Sequence, residues 1–324
     1  MFLKNLLEVA KLVLILYLIA GVGFFADKIG KFTEKAARLA TGLLFYIVTP
    51  CVIINSFANI DKSKVQIKGL AIALVFYLIT YAIAIPLANM LFKRQPANKR
   101  NIYRYATIYA NCGYLGIPMA QEIIGDEGVF YCPIGIAVFN ALAFTQGIIQ
   151  INEDTRDKAQ LSPVKILFNP GTLGIFLGIP VFILGVYGVS LPDIIAVPIE
   201  KLGSMNTPLA MVCLGTYLAH TDIRKTFTDK NNYIVALFRL LIIPLCLFAI
   251  ILAVNKFIIA VPAIIAASLM VSACPPSANN TVLFASNFDK DTGLASTTVA
   301  SSTILSIITM PVILALIQVF FPVW

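Results

Sequence analysis

Apolar runs of about 20 residues recur along this chain, and nothing else in the sequence restricts its fold so severely. They are Leu6–Phe25, Ala36–Phe57, Ile67–Phe92, Tyr105–Ile124, Val129–Ile151, Asn169–Tyr187, Ile199–Leu218, Tyr233–Val254, Ile258–Phe284 and Ser296–Val323. A helix of that length covers roughly 30 Å of hydrocarbon, and a helix satisfies its own backbone groups where water is missing. With 59% hydrophobic and 12% charged residues in 324 positions, the expected fold class is an all-α membrane protein of ten transmembrane helices, with short loops and no soluble domain. The first run carries Lys4 and Lys11 but is longer than the apolar core of a secretory signal. "GVGFFADK" is also a poor small-residue cleavage site, so the run is read as an uncleaved span.

The net charge of +8 raises the question of nucleic acid, but the basic residues lie scattered through loops without interleaved aromatics, and no nucleic-acid partner is expected. Their sidedness is more informative. About sixteen fall in loops one, three, five, seven and nine, among them Lys28, Lys31, Lys35, Arg38, Lys93, Arg94, Lys99, Arg100 and Arg104, against about seven on the other side. The positive-inside rule then puts both termini outside a cell (inner) membrane. All six cysteines, Cys51, Cys112, Cys132, Cys213, Cys246 and Cys274, fall within apolar spans without metal-ligand spacing, and read as small core hydrophobes. The single histidine, His220, follows the seventh span and reads as a solvated interfacial group. No nucleophile, base and metal set is present, so enzymatic function is not expected.

Shifting the chain by about 163 residues lays spans one to five over spans six to ten. Leu39 then falls on Leu202, Pro118 on Thr281 and Asp126 on Asp289. Residues 1–151 form one five-span repeat and 169–324 the other, with 152–168 as a cytoplasmic linker. An odd number of crossings per half makes the second half enter from the opposite face. Such inverted halves suit alternating access, with a ligand held near the midplane by interrupted helices.

Both halves contain such an interruption. "NCGYLGIPM" (Asn111–Met119) sets Gly113, Gly116 and Pro118 inside the fourth span, and "ACPPSANNT" (Ala273–Thr281) sets Pro275 and Pro276 inside the ninth. Glycine weakens a helix there, while proline removes a donor and clashes with the preceding turn. Freed peptide groups cost several kcal/mol in hydrocarbon, so both breaks must face protein or water. Two proline kinks answered by neighbouring helices would meet that need, as would a ligand site. The paired breaks beside amides favour the site, with Asn111, Gly113, Tyr114, Pro118, Pro275, Pro276, Ser277, Asn279, Asn280 and Thr281 as substrate-binding candidates and Asn55 and Asn140 as further ones. Asn55, Asn140 and Gln146 taken singly also suit helix-bridging roles. "SMNTPLAM", with Asn206, Thr207 and Pro208, interrupts the seventh span and reads as cavity lining.

"NCGYLGIPM", the following "IGDEG", and "ACPPSANNTVLFASNFDKD" leading into "ASTTVASSTILSIITMPVI" resemble the auxin efflux carrier family, which includes plant auxin carriers and bacterial malonate or malate permeases. The likeness covers essentially the whole chain. It implies that spans four and nine cross, that spans 3–5 and 8–10 form a moving transport domain on a scaffold from spans 1, 2, 6 and 7, and that the protein is a homodimer. By the same resemblance Asn111 matches a substrate-contacting crossover asparagine, Pro118 the proline ending "LGIP", and Pro276 the ninth-span crossover proline. One departure is plain: the plant carriers have an acidic group in the third span, whereas Ile67–Phe92 has none.

The candidate site holds no lysine or arginine close by in sequence, so an anion there is expected to rely on amides, hydroxyls and the positive ends of half-helices. The expected function is therefore secondary transport of a small organic anion, such as an auxin-like acid, malate or malonate, by an elevator-type cycle. The alternative is a sodium-coupled organic-anion symporter resembling the bile-acid carriers, with sodium as the one possible cofactor on neutral oxygens. A channel or sensor is the reading from another class. Arg239, inside the eighth span, either snorkels to headgroups or serves the interior.

Overall fold

The computed structural model describes residues 2–59, 67–153 and 170–323. All regular elements among them are helices. In chain order they are α1 (Phe2–Lys28), α2 (Glu34–Asn59), α3 (Ile67–Leu91), α4 (Ala97–Ile108), α5 (Ile117–Ile123), α6 (Asp126–Ile151), α7 (Pro170–Val186), α8 (Asp193–Ser204), α9 (Asn206–Ala219), the single turn α10 (Ile223–Thr226), α11 (Lys230–Phe257), α12 (Ala263–Ala273), α13 (Asn280–Asn287) and α14 (Thr292–Phe320). The linker expected at 152–168 lies, beyond residue 153, outside the described residues.

Six helices, α1, α2, α3, α6, α11 and α14, are long and apolar enough to cross a bilayer. The remainder are shorter. α4, with 12 residues, reaches only ~18 Å at 1.5 Å per residue, so it can cross only together with α5. The pairs α8/α9 and α12/α13 are split in the same way. The offset of about 163 residues carries Ile67 to Lys230 and Ile117 to Asn280, the first residues of α11 and α13. The outer surface of α1 is oily, with Leu3, Leu7, Leu18, Val22 and Phe25 exposed, as hydrocarbon solvent requires and water does not.

Four helical turns are widened to π geometry: Leu44–Val48, Cys112–Gly116, Ala143–Gly147 and Phe238–Ile242. Three have one cause. Pro50, Pro118 and Pro244 each stand two residues beyond such a turn, and a proline can neither donate to nor closely approach the carbonyl four residues back, so the turn opens. In the fourth, the Thr145 hydroxyl donates back to the Ala141 carbonyl, a contact that competes with the helical ladder.

Two differences from the expected spans matter for the site. α4 begins at Ala97, so Lys99, Arg100 and Arg104 are helical rather than in a loop. Arg104 is buried, donating to Glu153 Oε2 at 2.9 Å and to the Asn89 carbonyl at 2.9 Å. Those partners lie outside α4, which is why sequence hydropathy misses the turn they secure. The ninth span shortens at its start, because Pro262 caps α12 and residues 258–262 leave the helix. The break expected near Asn206 is present, between α8 and α9.

Packing is close where side chains vanish. α1 and α9 meet at Gly23 and Gly215: a Cβ on Gly215 would lie 2.6 Å from the Ala20 carbonyl carbon, and one on Gly23 would lie 2.7 Å from that of Val212. α7 packs on α2 through Gly174 against Ile53 and Gly178 against Phe57. His220 Nε2 lies 2.7 Å from Asp27 Oδ2, tying the ends of α9 and α1 at the half-exposed rim where the sequence put it.

Candidate functional site

The two interrupted segments meet. Ala110 and Ser277 form an isolated antiparallel β-bridge; the Asn111 amide donates to the Pro276 carbonyl at 2.7 Å and the Ala278 amide to the Tyr109 carbonyl at 2.9 Å. Each chain thus satisfies the other where its own helix stops, which answers the demand that buried backbone groups be paired. Four helix ends converge here: the carbonyl ends of α4 and α12, and the amide ends of the turn leading into α5 and of α13.

At the amide ends the sequence candidates gather. Asn111 is 4% exposed; its Oδ1 accepts from the Tyr114 amide at 3.2 Å, capping the turn, and its Nδ2 has no partner. Gly113 is partly buried, with the Phe45 ring nearest the side chain it lacks. Tyr114 packs edge-on to Phe45 at 4.8 Å. Pro118 lies buried near the start of α5, directly after the π turn that its missing donor opens. Pro275 lies against Gly116. Ser277 is fully buried; its amide donates to Ser302 Oγ at 3.1 Å and its own hydroxyl has no partner. Asn279 stands at the α13 cap position without a side-chain cap bond, its Nδ2 unpartnered. Asn280 is half-buried beside it, and buried Thr281 is turned back onto the Ala278 carbonyl at 2.7 Å.

The outlying candidates are placed differently. Asn55 accepts from Asn59 Nδ2 at 3.1 Å within α2; Asn59 borders a cavity of about 220 Å³ together with Ala58, Gly185 and Leu191, and among the described residues no hydrogen bond joins Asn55 to the crossover. Asn140 is half-buried on α6, next to Phe139, whose ring meets Tyr109 edge-on at 5.7 Å. Gln146 accepts from the Tyr109 hydroxyl at 2.6 Å, a bridge between helices. Asn206 opens α9, a helix packed on the Cys112–Gly116 turn; it is 1% exposed and neither amide atom has a partner.

Arg239 resolves the choice left open by its sequence position. It is 1% exposed and does not snorkel. Nη1 donates to the Ile108 carbonyl at 3.0 Å and the Thr107 carbonyl at 3.5 Å, and Nη2 to the Ala273 carbonyl. One side chain thereby holds the carbonyl ends of both α4 and α12. The π turns share this neighbourhood: Arg239 comes from one, Phe45 from a second, Tyr114 from a third and Gln146 from the fourth. A π turn adds a residue locally and re-aims the side chains after it, a device often found at functional sites. An aromatic wall also emerges that scattered positions conceal, with Tyr109 against Tyr81 at 5.7 Å and Tyr105 at 4.4 Å. A cavity of about 20 Å³ remains, lined among others by Tyr77, Tyr81, Cys112, Arg239 and Ser272. All six cysteines are free.

The arrangement offers donors and hydroxyls at one pole and paid-up carbonyls at the other. No group of three or more His, Cys, Asp or Glu suited to a metal occurs among the described residues. Comparison with known proteins agrees with a transport architecture. A family profile described as membrane transport protein matches residues 8–314. An uncharacterized transporter of Methanocaldococcus jannaschii is 25% identical over 311 residues, covering 93% of this chain and 96% of that protein. An uncharacterized transporter of Methanothermobacter thermautotrophicus is 26% identical over 298 residues, covering 90% and 92%.

Proposed function

The chain belongs to the auxin efflux carrier family of membrane transport proteins, and from that premise we propose that it is a secondary transporter of a small organic anion of the carboxylate class. It is a multi-pass membrane transporter and not an enzyme. The observation that carries the substrate class is the crossover: unpartnered buried donors at Asn111 and Asn279, next to helix amide ends, suit a carboxylate. The ten crossings are two inverted halves, and the cycle is an elevator in which α3–α6 and α11–α14 move against a scaffold of α1, α2 and α7–α9. The protein works as a homodimer in the cell membrane with both termini outside. Supporting the inversion, α11 and α13 start at the offset positions of α3 and α5.

A thermal-shift screen of mono- and dicarboxylates on purified protein, followed by counterflow of the stabilising acid in proteoliposomes, tests the reading. Saturable counterflow is the expected result; large unitary conductances in planar bilayers without counterflow would replace the carrier by a channel.

The domain division makes a prediction of its own. The Tyr17 hydroxyl on α1 donates to the Thr303 carbonyl at 2.9 Å and lies 2.6 Å from Ser306 Oγ on α14, so this contact joins scaffold to transport domain and must break in each cycle. Tyr17→Phe is expected to cost about 1 kcal/mol of stability while turnover holds or rises. A turnover cut by roughly tenfold, the equivalent of about 1.4 kcal/mol, would mean that α1 travels with α14.

A further inference from the structure

Arg239 enters the interior of a membrane protein with no carboxylate to answer it: among the described residues none lies within ion-pair distance. What it meets is main chain. Nη1 donates to Ile108 and Thr107, and Nη2 to Ala273, the terminal carbonyls of α4 and α12. No further turn of helix follows to bond those oxygens. Each helix end presents roughly half a unit of negative charge, so the pair sums to about one unit, matched by one guanidinium.

In carriers with discontinuous helices, such carbonyl ends are the ligands that hold a coupling sodium ion. We propose that Arg239 is a built-in cation that takes these carbonyl oxygens in place of sodium, so that this transporter runs without sodium coupling. The inference rests on the transporter reading above and adds its ion dependence. The remaining space agrees with it. The adjoining cavity of about 20 Å³ is bounded by Arg239 itself; it has room for about one water, and a sodium ion there would stand against a positive charge. Arginine suits the task better than lysine, since its planar fork reaches carbonyls of two helices at once. The π turn before Pro244 supplies the aim, as Arg239 is its second residue.

The test needs no identified substrate. The wild-type protein, purified in detergent, is melted in sodium chloride and in choline chloride at equal ionic strength, and so are Arg239→Gln and Arg239→Lys. The wild type is expected to melt at the same temperature in both salts; a clear rise in sodium would overturn the proposal. Arg239→Gln vacates the carbonyls, so it is expected to melt lower and to be raised by several degrees by sodium or by guanidinium ion. A folded Gln variant indifferent to both would overturn the proposal. Should that variant not fold, Arg239→Lys decides: a folded, sodium-indifferent protein supports a fixed charge, and a sodium-stabilised one refutes it. If proteoliposomes carry no carboxylate in any salt, the anion reading fails while these melting results stand.

Discussion

Gly215→Ala is expected to destabilise the protein by about 3 kcal/mol, the upper part of the range for overpacking a rigid contact. The added Cβ would lie 2.6 Å from the Ala20 carbonyl carbon, 2.8 Å from the Phe24 nitrogen, and nearer still to the Ala20 oxygen. Those atoms are backbone of α1, which has no free rotamer to give way. α1 is also held to α14 by its own Tyr17, which donates to the Thr303 carbonyl, and at its end by Lys28 donating to the Ala219 carbonyl at 2.8 Å. In hydrocarbon, helices associate through such close approach, because lipid removes the hydrophobic drive between them. Gly21→Ala and Gly42→Ala are the matched controls: nothing lies within 4 Å of either new methyl, and alanine is the better helix former by about 1 kcal/mol. Melting of the three variants in one detergent checks this. A Gly215→Ala protein as stable as its parent would show that α1 and α9 part without cost.

Asn111→Ala is expected to remove carboxylate flux while leaving the fold intact. The cap bond from Oδ1 to the Tyr114 amide is worth about 1 kcal/mol, a loss the protein can bear because the crossover bond at this position uses the Asn111 main chain. A hydrogen bond to a charged ligand is worth about 1.5–3 kcal/mol, so flux should fall by roughly tenfold to a hundredfold. Counterflow measured beside the melting curve separates the two effects. Full flux through the folded variant would move the substrate elsewhere, with buried, unpartnered Asn206 the next residue to change.

The six long apolar helices were legible because hydropathy reads the solvent, and helices such as α1 are apolar on the outside as well as within. The breaks in α4/α5 and α12/α13 were legible because glycine and proline act on their own backbone. Polar partnerships between distant segments were not. Arg239 bonds residues more than a hundred positions earlier as well as Ala273, and nothing local distinguishes it from a snorkelling arginine. Likewise Arg104 looked like a loop charge until Glu153 and Asn89 were placed beside it. The π turns illustrate a middle case: the prolines behind three of them were visible, but which turn would widen, and toward what, depends on the neighbours.

The joint between the interrupted helices consists of main-chain bonds from Asn111 to Pro276 and from Ala278 to Tyr109. Any amino acid but proline can supply the two donors. Under the proposed cycle, side chains around the joint can therefore be exchanged for those that fit another cargo, and the main-chain bonds that hold the two loops together survive the exchange. Selectivity and mechanics are separable here at the level of single atoms, a useful property in a scaffold to be re-engineered.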